Sequence, residues 1–171
     1  MSAISRCSIA AAFALSTLTA CNDTQASDTS ALKPNDWLLQ AASDDERFRL
    51  LQRQMRGFDQ PMWEVGERYT RMHDALTRGN GELAAYHWEK IKTTIENGIA
   101  KRPARRANAE AMFLEPVWED VNADLKSGDP ARAWQAFDRA KAACQACHTA
   151  EKVEYMNDQA VFDLAAPAES R

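Results

Sequence analysis

The sequence is poor in residues that interrupt helices, with six glycines and six prolines among 171 residues. Together with its wealth of Ala, Leu, Glu, Arg and Lys, that scarcity favours helix over strand and predicts an all-α fold. Positive charge is not in excess either: 21 Lys and Arg against 25 Asp and Glu leave a net charge of −4. A nucleic-acid binder needs clustered basic residues that dominate the balance, so small molecules or proteins are the expected partners. No apolar run is long enough to span a bilayer comfortably. The length suits one domain with a substantial core.

What is present begins with an export signal at residues 1–20, where Arg6 supplies the positive end and residues 9–18 the apolar stretch. The stretch runs into Leu18-Thr19-Ala20-Cys21, which resembles the lipobox of bacterial lipoproteins. That resemblance implies cleavage before Cys21, a diacylglyceryl group on its thiol and an acylated new amino terminus. Several acyl chains, at about 0.8 kcal/mol per buried CH₂, anchor a protein firmly without spanning. Asn22 stands where, by analogy with enteric bacteria, an aspartate signals inner-membrane retention, so a periplasm-facing outer-membrane anchor is the expectation. Ordinary cleavage after Ala20 would leave Cys21 an unmodified thiol. Residues 21–42 are assigned to a tether, rich in Asp, Ser, Thr and Ala as far as Pro34, and residues 43–171 to a helical domain.

Within that domain, Trp37, Leu38, Phe48, Leu51 and Met55 suggest an extra N-terminal helical segment, with Ser43 and Glu46 spaced as a capping box. Gly57, Asp59 and Pro61 predict a break and a restart. Met62, Val65, Tyr69, Met72 and Leu76 then form one apolar stripe that stops at Gly79-Asn80-Gly81. A second stripe runs from Leu83 to Ile99, and a third occupies residues 105–126, where Pro116 either kinks the helix or marks a boundary. Asp129 and Pro130 cap a fourth helix carrying Trp134, Phe137, Ala140, Cys144 and Cys147 along one face. Amphipathic helices joined by short loops predict a four-helix up-down-up-down bundle.

Near the end of the last helix, Cys144-Gln145-Ala146-Cys147-His148 matches C-x-x-C-H, the pattern that attaches one c-type haem by two thioethers while the histidine ligates iron. Cysteines three apart on a helix project to one side, and the next histidine can swing under the metal. A thioredoxin-like dithiol would start a helix after a strand, and no strand is predicted. A structural zinc site needs four ligands, but His73 and His87 fall on other helices and there is no second C-x-x-C. Two inert core thiols would invite disulfide scrambling in an oxidising compartment. Haem c is therefore the expected cofactor.

A helical bundle ending in this motif resembles the class II cytochromes c, the cytochrome c prime group and its low-spin relatives, over about residues 43–152. The segments Gln54-Met55-Arg56-Gly57-Phe58-Asp59, Met62-Trp63-Glu64-Val65-Gly66-Glu67-Arg68-Tyr69 and Arg102-Pro103-Ala104-Arg105-Arg106 look like those of a group of bacterial haem proteins. In low-spin class II proteins the resemblance implies a second axial methionine from the first helix. Met62 and Met55 are the candidates, Met62 being preferred because it lies within the stripe; a methionine on such a stripe is also an ordinary core residue. Met72 lies further from the expected haem end, Met156 would need a tight reversal of the chain, and His73 or His87 would give bis-histidine ligation. Arg102, Arg105 and Arg106 form a basic cluster that could meet haem propionates or stay solvated.

The function expected from this reading is periplasmic electron transfer with redox partner proteins, without enzymatic chemistry. Its rivals are a five-coordinate haem protein binding NO or CO, a haem peroxidase with a distal acid-base group, and a lipoprotein whose motif is vestigial. The class II resemblance is compatible with a homodimer.

Overall fold

A computed structural model describes residues 32–168, so the export signal and Cys21 lie outside the described residues. Two units separate after Gln40. In the first, the described residues 32–40 form turns, with the Asp36 carboxylate accepting the Lys33 amide at 2.8 Å. The second is helical, and no strand occurs among the described residues. No helix among them is long and apolar enough to cross a membrane.

The capping-box expectation at Ser43 holds with a shift of one residue. The Ser43 hydroxyl accepts the Glu46 amide at 3.2 Å, while the Glu46 carboxylate reaches the Ala42 amide at 2.8 Å. This starts α1 (Asp44–Gln54), which buries none of its residues and leaves Phe48 67% exposed. The restart at residue 59 differs from expectation. Asp59 is already helical in α2 (Asp59–Thr77), and its carboxylate turns back to the Gly57 amide at 3.1 Å rather than capping the helix.

Helix α2 ends where Gly79 adopts φ +68°, a left-handed conformation that lets the Asn80 amide close on the Ala75 carbonyl at 2.9 Å. The Asn80 side chain then caps α3 (Gly81–Lys101) by accepting the Leu83 amide at 2.9 Å. Pro103 follows α3 and opens a 3-10 turn.

The third stripe is not one helix. It divides into α4 (Arg106–Ala109), a π segment Glu110–Leu114 and α5 (Trp118–Leu125), with Pro116 in the gap. The π register is seen in the Glu115 amide bonding the Glu110 carbonyl, five residues back, at 3.1 Å. Pro116 has no amide to continue it. Asp129 caps α6 (Pro130–Ala150) through the Ala131 amide at 2.9 Å, as its sequence predicts.

Helix α2 packs on α3, α3 on α5, α5 on α6, and α6 meets α2 again. Between them Met72, Trp88, Ile91, Phe113, Val121, Leu125 and Phe137 are fully or nearly fully buried. Each such large side chain contributes about 1.5–3 kcal/mol. Two polar side chains are tied into this core: the Trp88 indole donates to the Trp118 carbonyl at 3.0 Å, and the Tyr69 hydroxyl to the Phe137 carbonyl at 3.2 Å. The Tyr69 ring also stacks on Phe137 at 4.3 Å, which fastens α2 to α6 just above the cysteines.

Candidate functional site

Cys144 and Cys147 sit one turn apart on α6, and with His148 they line a cavity of about 390 Å³. Helix α2 supplies Met62, Trp63 and Tyr69 to its walls, and Phe58 comes from the bend before that helix. The π segment brings Phe113 to another wall. Two 3-10 turns after α6, Glu154–Asn157 and Ala160–Asp163, bring Met156 and Phe162 to the same space. The cysteines are half-buried on the cavity wall, and Cys144 also packs against the core.

His148 is fixed at its backbone and at its ring. Its carbonyl accepts the Val153 amide at 2.9 Å as the chain leaves α6 through Lys152, which takes a left-handed φ of +60°. That reversal carries Asn157 back to the imidazole, where Asn157 Oδ1 stands 2.8 Å from His148 Nδ1. The Phe162 ring meets the imidazole edge-on, with centroids 5.7 Å apart at 88°.

Among the three arginines of the basic cluster, Arg105 alone lines the cavity, paired with Glu151. Arg106 pairs with Glu110 at 2.9 Å, and Arg102 donates to the Lys101 carbonyl at 2.7 Å. Glu151 also accepts from the Asn108 side-chain Nδ2 at 2.8 Å, so the charges at the cavity edge are mutually held.

Burial pushes the Cys144 thiol up to about 12, with neighbouring Cys147 adding to the shift. Burial also raises Cys147, against a partial opposing pull from Arg105. These thiols are unlike the low-pKa nucleophile of a dithiol oxidoreductase. Among the described residues no group of three or more His, Cys, Asp or Glu is placed to hold a metal ion. Two free thiols and an imidazole whose Nε2 has no hydrogen-bond partner among the described residues are grouped on the wall of an apolar cavity, residue types that could hold a haem attached through C-x-x-C-H.

The remaining candidates are sorted by position. Met62 and Met156 line the cavity. Met55 lies 51% exposed at the end of α1, outside the lining, and Met72 is fully buried in the core. His73 places Nε2 3.0 Å from the Ala165 carbonyl and packs edge-on against Trp134, away from the cavity. His87 is buried on α3, its Nδ1 without a hydrogen-bond partner among the described residues, and does not line the cavity either.

Sequence reasoning missed Phe58, Trp63, Glu151, Asn157 and Phe162 as parts of this site. Trp63 lies off the apolar stripe and is 79% exposed, so periodicity gives it no signal. Asn157 and Phe162 lie in 3-10 turns, where no helical period marks which side chains turn inward. No protein-family model matches this chain, and no curated protein or solved structure matches it.

Proposed function

We propose that this chain is an exported monohaem c-type cytochrome of class II type that carries electrons between partner proteins on the periplasmic side of a bacterial membrane. The reading rests on one observation above the others: Cys144, Cys147 and His148 stand together on the wall of an apolar cavity of about 390 Å³. A bound haem supplies an iron that alternates between ferric and ferrous states, a one-electron couple.

The chain's own residues hold and shield that group. Cys144 and Cys147 would carry the two thioether links, and His148 would ligate through Nε2, the nitrogen not facing Asn157. Met62 is the second axial candidate because it comes to the cavity from α2, a different helix from the one bearing the motif. Phe58, Phe113 and Phe162 line the cavity and would shield a bound haem from water. Arg105 is the cation positioned for propionates. Helices α2, α3 and α6, with the broken third element, are read as the up-down-up-down bundle. Cys21 is read as the lipidated first residue of the mature chain, and a homodimer is compatible with the class.

Optical spectra of the purified protein, oxidised and reduced, with and without carbon monoxide, test this reading. Sharp low-spin bands indifferent to the gas are expected of a six-coordinate carrier. A broad high-spin spectrum that shifts with the gas would replace it by the NO- or CO-binding alternative.

A further inference from the structure

We propose that Asn157 is a positioning residue for the proximal histidine: its side-chain amide fixes the His148 tautomer and sets how strongly that imidazole donates to iron. The inference deepens the haem reading and rests on it.

The amide of Asn157 makes two contacts, and together they determine which way round it lies. Its Nδ2 donates to the Gln145 carbonyl at 3.4 Å, and its Oδ1 faces His148 Nδ1 at 2.8 Å. Rotating the amide by half a turn would set Oδ1 against the Gln145 carbonyl, two acceptors facing one another without a proton between them. With Oδ1 towards the ring, the proton must sit on His148 Nδ1, since an acceptor can only face a donor. Nδ1–H therefore donates to Asn157, and Nε2 keeps its lone pair free for a metal.

The surroundings remove the other ways the ring could turn. Gln145 lies within the Cys144–His148 pentapeptide, so the carbonyl that orients Asn157 belongs to the same helical turn as the two thiols. The His148 backbone carbonyl is held by the Val153 amide at 2.9 Å, and Phe162 lies edge-on to the ring. One amide thus ties the histidine to the helix segment on which the cysteines stand. Correct spacing of the two thioethers and correct aim of Nε2 become one geometric condition.

The acceptor is neutral, and this has a chemical consequence. A hydrogen bond from Nδ1–H pushes electron density into the imidazole, raising its basicity and favouring ferric iron; an ionised acceptor pushes harder and no acceptor pushes least. Asn157 accordingly holds an intermediate setting, one that a carboxylate would lower in potential and a hydrocarbon would raise.

The test uses the haem-loaded full chain and its Asn157→Asp and Asn157→Leu variants. Reduction potential is measured for all three, and the iron–histidine stretching frequency of the reduced form for all three in a Met62→Ala background, where the sixth position is open. The expected order of potential is Asp lowest, wild type between and Leu highest, with the stretching frequency running in the opposite order. Asn157→Asp keeps the side chain's shape, so a shift there cannot come from a cavity. Potentials that coincide within error, or that move the same way in both variants as simple loosening would, overturn the inference while leaving the haem reading intact. A wild-type chain without covalent haem would instead fail the haem reading, and this inference with it.

Discussion

Phe58 presses on Gly98 so closely that a Cβ built on the glycine would stand 2.9 Å from two atoms of the ring. The contact joins the bend before α2 to the last turn of α3 and holds one aromatic wall of the cavity in place. Gly98 therefore serves close approach, although it costs α3 some helix propensity.

Replacing Gly98 sets two effects against each other. Alanine favours an exposed helix interior by about 1 kcal/mol over glycine, whereas forcing a methyl into a filled space costs about 1–3 kcal/mol. Gly98→Ala is expected to destabilise the wild-type chain and to stabilise the Phe58→Ala chain by about 1 kcal/mol. Denaturant unfolding of the four proteins checks the sign reversal. If the cavity holds the proposed haem, Gly98→Ala should also shift its absorption, because Phe58 lines that cavity.

Met62 and Met156 share the cavity, but they come from different parts of the chain. Met156 lies in the same turn as Asn157, which is already bonded to His148, whereas Met62 comes from α2. Met62→Ala is expected to convert low-spin iron to high-spin, and Met156→Ala to leave the spin state unchanged. Visible and near-infrared spectra of the two variants distinguish the assignments. Loss of the low-spin spectrum in Met156→Ala alone would move the ligand to the turn after α6.

Acid should weaken the fold in two windows. Burial, with Arg68 and Arg71 adding to it, holds the His87 pKa below its ordinary value. Stability from neutral His87 is present above about pH 6.5 and falls as the pH drops from there towards the folded-state value. His87→Phe should flatten that limb. Asp124, paired with Arg132 and Arg139, has a lowered pKa for which the Arg132 hydrogen bond is the main cause. Its contribution is present above about pH 4, lost as the pH falls through its lower folded value, and is about 1 kcal/mol or less for pairs this open to water. Thermal unfolding of His87→Phe and Asp124→Asn across pH 3 to 8 measures both windows.

Legibility in the sequence followed the hydrogen-bond register. Helices α2, α3 and α6 keep a steady period and end at strong signals, Asn80 and Asp129 with Pro130 among them, so the sequence-based limits fall within a few residues of the structure. Residues 105–126 mislead because a π turn shifts the register by one residue without altering composition, so Met112, Leu114 and Val117 continue to look periodic across a break. The pentapeptide at Cys144 was readable as a pattern of consecutive residues, and the structure brings its two cysteines and histidine to one cavity wall. Asn157, nine residues beyond His148, was not, since its role arises from a chain reversal at Lys152 in a conformation that a lysine seldom adopts.

The most direct test is covalent attachment. The full chain and its Cys144→Ser/Cys147→Ser variant, each expressed with the c-type maturation machinery, are run on a denaturing gel and stained for haem. The wild-type band is expected to retain haem through denaturation and the double variant to lose it. A wild-type band without haem would contradict the assignment of Cys144, Cys147 and His148 as a haem site.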